Sequence, residues 1–100
     1  METDWIEFTA QHIAVIPPVS GVYELGDSHR GIMFIGKSEN LAKTLLELQD
    51  PLDICLRDAA FFRIALEADL FEGVRRLFQE YEDEHGGCLP RCNPVNYTRR

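Results

Sequence analysis

Two short runs near the start of the chain have the pattern of β-strands. Residues 21–25 and 31–36 are rich in β-branched and aromatic side chains, and residues 26–30 between them are mostly turn formers. Two such runs around a short turn are typical of an antiparallel hairpin. Because side chains alternate along a strand, the pattern places Tyr23 and Leu25 on the same face of this hairpin.

Three other segments have apolar residues every three to four positions, which predicts amphipathic helices. The first is residues 4–13, within an N-terminal helical region 1–16. The second is residues 39–49, with Ser38 as its N-cap. The third and strongest is residues 65–84, and a short strand is expected just before it, at residues 61–64.

Length and composition are those of one globular domain, residues 1–100. Lys and Arg number 10 and Asp and Glu 17, so the formal net charge is −7. Binding to nucleic acid or an anionic membrane needs a basic face, so we expect weak nucleic-acid binding and no membrane binding. Without a bilayer-length apolar run or a secretory leader pattern, the sequence predicts a cytoplasmic protein.

The cysteines Cys55, Cys88 and Cys92 allow two interpretations. An odd number of cysteines in a chain without an export signal favours reduced thiols. Alternatively, His85, Cys88 and Cys92 could bind zinc together with Cys55. That spacing is unusual for a structural zinc site, so free thiols are the expected state and zinc is the less favoured alternative.

Two polar residues lie on the apolar stripes of predicted helices. Glu67 is about one turn before Leu70 and Phe71, so its carboxylate needs a partner, a metal or a raised pKa. Thr44 lies on the stripe of the second helix. The pattern allows two interpretations of each residue. Glu67 is either a site residue or a solvated residue favoured by the helix dipole. Thr44 is either a site residue or a small core residue.

Two motifs stand at the start of the first predicted strand and the end of the second. They are Gly21-Val22-Tyr23 and Phe34-Ile35-Gly36. The pair resembles the GIY-YIG nuclease domain, in which Gly-Ile/Val-Tyr is followed by Tyr-Ile/Val-Gly-Lys, a helix, a glutamate and a late asparagine. The resemblance covers residues 17–97, and the two motifs are specific only together. Further matched residues are Lys37, Asn40, Leu41, Glu67 and Asn93.

This resemblance implies an α+β fold, with a small mixed sheet of three strands flanked by helices. It also implies phosphodiester hydrolysis with one divalent ion, Mg²⁺ or Mn²⁺, bound here by Glu67. Tyr23 is then the tyrosine that helps to activate water. The other implied site residues are Phe34 at the second tyrosine, Lys37 after it, Thr44 at the helix arginine and Asn93 at the late asparagine.

Two of these positions depart from the family pattern. Thr44 carries no charge and cannot make the bidentate phosphate contact of an arginine. Loss of such a cation typically lowers the rate on the order of 10³-fold. Phe34 keeps an aromatic ring without its hydroxyl. Residues that could supply the missing cation are Lys43, Arg63 and Arg91.

Three hypotheses follow. The first is a GIY-YIG-like domain with weak or lost catalysis that binds a nucleic acid or a protein. The second is an active Mg²⁺-dependent endonuclease with a relocated cation. The third is a structural protein whose tail is held by zinc.

Overall fold

A single antiparallel sheet organises the computed structural model, which describes residues 4–93. Its strands, in the spatial order β1-β4-β2-β3, are β1 (Ile6–Glu7), β2 (Gly21–Gly26), β3 (Ile32–Ser38) and β4 (Phe61–Leu66). The helices are α1 (Ala10–Ile13), α2 (Leu41–Glu47), a 3₁₀ helix (Ile54–Asp58) and α3 (Leu70–Glu84). The expected small sheet flanked by helices is confirmed. The expectation of a mixed sheet is wrong, since every pairing is antiparallel, and β1 adds a short fourth strand.

The predicted hairpin is confirmed, and its first strand is the centre of the sheet. Strand β2 pairs with β3 on one side and β4 on the other, and all six of its residues are buried. Gly21 lies opposite Ser38 and Leu66, so the start of β2 and the ends of both neighbours meet at one end of the sheet. We call this end the motif end.

Each face of the sheet has its own core. On the α2 face, Tyr23, Leu25 and Phe62 pack with the residues of α1, α2 and the 3₁₀ helix. On the α3 face, Val22 and Ile35 pack against α3. Among residues 4–93, no helix has both the length and the apolar character needed to cross a bilayer.

The predicted N-terminal helix is wrong in its first half. Ile6 and Glu7 pair with β4 as the edge strand β1. Helix α1 begins only at Ala10, because Thr9 is extended and its side chain accepts a hydrogen bond from the His12 amide. The apolar spacing of this segment is therefore shared between a strand that covers the sheet edge and one helical turn.

Both longer helices begin later than predicted. Helix α2 is capped by Asn40 instead of Ser38, and α3 is capped by Asp69. Strand β4 continues to Leu66, two residues beyond the predicted strand, because its ladder with β2 continues to Gly21. Glu67 thus lies in the connection before α3 and outside the helix. The 3₁₀ helix occupies a segment whose pattern allows one or two helical turns.

The expectation of three reduced thiols is wrong for two of them. Cys55 and Cys92 form a disulfide with a Cα–Cα distance of 5.7 Å, and Cys88 is free and exposed. Their separation of 37 residues hides this contact from any local pattern. The disulfide also takes two of the four candidate zinc ligands, and residues 4–93 contain no group of three or more His, Cys, Asp or Glu placed to hold a metal.

Gly36 is required by the packing of the hairpin. A Cβ atom at this position would overlap the ring of Tyr23 on the neighbouring strand. We expect Gly36→Ala to destabilise the protein by about 2 kcal/mol, because neither the strand nor the buried ring can move away without opening the core. Urea unfolding measures the difference.

Gly31→Ala is the matched control. Its added Cβ would meet the Asp27 carboxylate at 3.4 Å, an ordinary contact at an exposed turn. Equal losses of stability in the two variants would contradict the steric role of Gly36.

Candidate functional site

The two motif aromatics meet on the α2 face of the hairpin. The ring of Tyr23 covers Gly36 and is only 5% exposed. Its centroid lies 6.1 Å from that of Phe34, with the two planes tilted by 34°. The hairpin register therefore brings together the two positions that the sequence predicts. Phe34 is half-buried and packs against the same core, so it supplies a ring to the site but no hydroxyl.

Lys37 lies near the motif end but on the other face. It stands opposite Val22, whose side chain belongs to the α3 core. The Lys37 ammonium lies 5.6 Å from the ring centroid of Phe71, in the first turn of α3. This distance is within the range of a cation–π contact, and Phe71 is 60% exposed. Lys37 thus extends over α3 and away from the ring of Tyr23.

The backbone of Glu67 is fixed at the motif end. Its amide donates to the carbonyl of Ser20 at 3.4 Å, and its carbonyl accepts from the Ser20 hydroxyl at 3.2 Å. These bonds extend the β2–β4 ladder by one residue. The Glu67 side chain then packs on Gly73 of α3, where an added Cβ would lie 2.8 Å from Glu67 Cγ and from Val22 Cγ1. Gly73 therefore makes room for the glutamate on the helix.

The carboxylate of Glu67 is bound by a guanidinium. Arg76 Nη2 donates to Glu67 Oε2 at 2.9 Å, and the Asp69 amide donates to Oε1 at 3.3 Å. The hydrogen bond from Arg76, followed by that from Asp69, lowers the pKa of Glu67 below its ordinary value. Glu67 is consequently ionised at neutral pH, with a cation already beside it.

Thr44 links α2 to the end of β3. Its hydroxyl lies 2.6 Å from Ser38 Oγ, which also accepts a hydrogen bond from the Asn40 amide at 2.9 Å. Ser38, which the sequence predicts as the cap of α2, serves instead to hold the turn before the helix. Thr44 is therefore a half-buried structural contact, and it supplies no charge.

Asn93 is held against the outer edge of β3. Its Oδ1 accepts from the Ile35 amide and its Nδ2 donates to the Ile35 carbonyl, both at 2.9 Å. The Cys92 amide also donates to the Met33 carbonyl at 3.0 Å. Asn93 is 8% exposed, so in this arrangement its amide completes the hydrogen bonding of the edge strand.

The three candidate replacement cations have other neighbours. Arg63 pairs with Glu24 at 2.6 Å and lies over the Trp5 ring, and Arg91 lies 3.5 Å from Asp58. Lys43 lines a groove between α1 and α2. Among residues 4–93, the cation paired with Glu67 is Arg76.

Sequence reasoning missed Arg76. The signal that could have identified it is its position one turn after Gly73, on a helix that follows Glu67 directly.

The residues present do not fit the implied divalent ion as they are arranged. Mg²⁺ is usually held by one or two carboxylates together with water and phosphate oxygens. Glu67 is the candidate carboxylate, and both its oxygens accept hydrogen bonds, one of them from a full positive charge. The carboxylate of the neighbouring Asp69 caps α3 by accepting from the Glu72 amide. A metal at Glu67 would therefore compete with the Arg76 guanidinium for this carboxylate.

Solved structures of an endonuclease domain have the same architecture. The N-terminal GIY-YIG endonuclease domain of UvrC from Thermotoga maritima, bound to magnesium as its catalytic divalent cation, superposes with a TM-score of 0.60 at 18% identity, covering 84% of this chain and 93% of that one. Two tyrosine-to-phenylalanine point mutants of that domain, also bound to the catalytic cation, give TM-scores of 0.63 and 0.64 at 20% and 21% identity, covering 84% of this chain and 92% and 93% of theirs.

This likeness shows the fold: the chain is a GIY-YIG-like domain. No protein-family model matches the chain, and no curated protein matches it by sequence. The GIY-YIG resemblance of the sequence is thus confirmed at the level of the fold.

Proposed function

We propose that this nuclease-like domain has weak or lost catalysis and acts as a binding module for a nucleic acid or a protein. The observation that carries the proposal is the Glu67–Arg76 ion pair, which places a guanidinium on the carboxylate that a divalent ion would need. An internal cation of this kind neutralises the site without activating water.

Thr44 supports the same proposal. A phosphodiester gathers negative charge on its oxygens in the transition state, and fixed cations stabilise it. The side chain at this position is neutral, and its hydroxyl is engaged with Ser38. Arg76 is a poor substitute while it is paired with Glu67, because part of its charge is already neutralised.

The electrostatics favour a weakly held nucleic acid or a protein partner. The formal charge of −7 repels a polyanion at long range. Near the start of α3, Arg75 and Arg76 are paired with Glu72 and Glu67, so the surface has mixed sign. Binding to DNA is therefore expected to weaken steeply with salt and to be slight at physiological ionic strength.

Cleavage assays test the loss of catalysis. We expect the wild-type chain to nick branched or single-stranded DNA at least about 10³-fold more slowly than the Thermotoga maritima UvrC domain, with Mg²⁺ or Mn²⁺ present. Fluorescence anisotropy with the same oligonucleotides at two salt concentrations measures binding separately. Cleavage at a comparable rate, abolished by Glu67→Gln, would contradict the proposal.

One observation favours the alternative of an active Mg²⁺-dependent endonuclease. Tyrosine-to-phenylalanine mutants of the UvrC domain are bound to their catalytic cation, so a phenylalanine such as Phe34 is compatible with a metal site in this fold. Arg76 would then be the relocated cation. This alternative requires that Arg76→Gln and Glu67→Gln each lower the cleavage rate, whereas under the main proposal Arg76→Gln should not lower the weak rate that remains.

A further inference from the structure

The Cys55–Cys92 disulfide fixes a short segment of the chain against the edge of the sheet. It joins the 3₁₀ helix to the segment 90–93, which runs along the outer edge of β3. Cys92 bonds the Met33 carbonyl, and Asn93 bonds both backbone groups of Ile35. Because β3 is the edge strand of the sheet formed within residues 4–93, these contacts satisfy backbone groups that no other strand in that range pairs.

We propose that this disulfide is a thiol-exchange site, and that its opening by a small thiol releases segment 90–93 from β3. Three features of its surroundings support the proposal. Cys55 is partly exposed whereas Cys92 is 7% exposed, so Cys55 is the more accessible of the two residues to an external thiolate. The Arg91 guanidinium lies 4.0 Å from the Cys55 sulfur. Arg91 itself lies 3.5 Å from Asp58, near the end of the 3₁₀ helix, which keeps it close to Cys55.

The exchange proceeds in two balanced steps. An external thiolate attacks Cys55 Sγ, forms a mixed disulfide there and expels Cys92 as a thiolate, which takes a proton from water. A second thiol, as thiolate, attacks the external sulfur of that mixed disulfide and expels Cys55 as a thiolate, which is protonated in turn. The products are two protein thiols and one oxidised external disulfide. The Arg91 guanidinium favours the second step, because it stabilises the departing Cys55 thiolate.

The bond is suited to control this segment because it is a covalent link between residues 90–93 and the 3₁₀ helix. A disulfide that closes a loop of 37 residues removes much of the freedom of the open chain. Without it, the segment is held by non-covalent contacts: the hydrogen bonds of Cys92 and Asn93 to β3, the buried Pro90 and the Arg91–Asp58 ion pair. Opening the bond therefore weakens the edge pairing at Ile35, which lies between Phe34 and Gly36 of the second motif.

Amide hydrogen exchange tests the proposal at single residues. The probe is the full chain purified without reductant and compared before and after treatment with dithiothreitol or reduced glutathione. We expect the Ile35 amide, which donates to Asn93, to exchange at least tenfold faster after reduction, while the amides of central strand β2 change far less. Reoxidation with oxidised glutathione should restore the protection.

Thiol alkylation and two cysteine variants provide further tests of the proposal. Before reduction, alkylation should label Cys88 alone, and labelling of all three cysteines would overturn the proposal. Cys88→Ser should leave the effect intact, and Cys55→Ser should keep Ile35 in the fast-exchanging state without reductant. Equal acceleration of β2 and Ile35, or none at Ile35, would also overturn it, since the disulfide would then be a global or an inert cross-link. These readouts do not depend on cleavage or on nucleic-acid binding.

Discussion

Replacing Arg63 by methionine is expected to destabilise the protein by about 3–5 kcal/mol at neutral pH. Arg63 Nε donates to Glu24 Oε1 at 2.6 Å, with the two side chains 18% and 4% exposed. Methionine fills much of the aliphatic volume of arginine but leaves the carboxylate of Glu24 buried in the centre of the sheet without its partner. The guanidinium contact with the Trp5 ring is lost as well.

A second ion pair in the same molecule provides the control. Arg75 pairs with Glu72 at the same distance of 2.6 Å, but the side chains are 62% and 46% exposed. Because solvent screens exposed pairs, Arg75→Met should leave the free energy of unfolding in urea almost unchanged. Similar losses for the two variants would contradict the idea that burial gives the Arg63 pair its importance.

The pH dependence of the Arg63→Met variant tests the same explanation. Burial raises the pKa of Glu24 above its ordinary value, although the hydrogen bond and charge of Arg63 oppose the rise. The folded state therefore binds the Glu24 proton more tightly than the unfolded chain, and this contribution to stability is lost as pH rises through the folded pKa. Removing Arg63 raises that pKa further. The deficit of the variant should shrink as the pH is lowered from 7 towards 5, and a constant deficit would contradict the assignment.

The parts of the fold that were predictable from sequence depend on neighbours in the chain. The hairpin was predictable because two β-rich runs flank a turn-forming segment. The register of the two strands then places Tyr23 against Phe34. The body of α3 follows from a long apolar stripe that packs on one face of the sheet. In each case the interactions that decide the structure lie within a few residues.

The sequence predictions were wrong where contacts between distant segments override the local sequence pattern. Ile6 pairs with Phe62, so part of an amphipathic segment becomes a strand. Ser38 and Asn40 are both good caps, and packing of the turn assigns that role to Asn40. The pairing of Cys55 with Cys92 has no local signature.

The candidate site was also only partly predictable from the sequence. The resemblance to the GIY-YIG pattern indicates the motif residues, but it does not indicate the partner of Glu67, because that partner depends on how α3 crosses the sheet. Gly73 allows that crossing by leaving space for the Glu67 side chain, and Arg76 then lies within reach of the carboxylate. Whether the Glu67 carboxylate is paired with Arg76 therefore depends on the packing of α3, which the motifs do not specify.

The double substitution Thr44→Arg and Arg76→Gln is expected to raise cleavage of branched DNA in Mg²⁺ buffer by about 10²-fold or more over the wild type. Arg76→Gln removes the guanidinium from Glu67, and Thr44→Arg places a cation on α2 at the position that the sequence resemblance matches to the family arginine. An arginine that stabilises a transferring phosphate is typically worth 10³–10⁵ in rate, and imperfect placement justifies the smaller expectation. Single-turnover nicking assays measure the gain.

Ala42→Arg combined with Arg76→Gln is the matched control, since it adds the same charge to α2 two residues away. Ala42 lines the groove between α1 and α2, whereas Thr44 contacts Ser38 at the end of β3, so the two positions lie on different sides of α2. This control should stay at the wild-type rate, and adding Glu67→Gln to the active pair should remove the gain. A gain that persists without Glu67, or that Ala42→Arg reproduces, would mean that added charge alone recruits DNA. No gain in a folded double variant would show that Thr44 and the Glu67–Arg76 pair are not what limits catalysis.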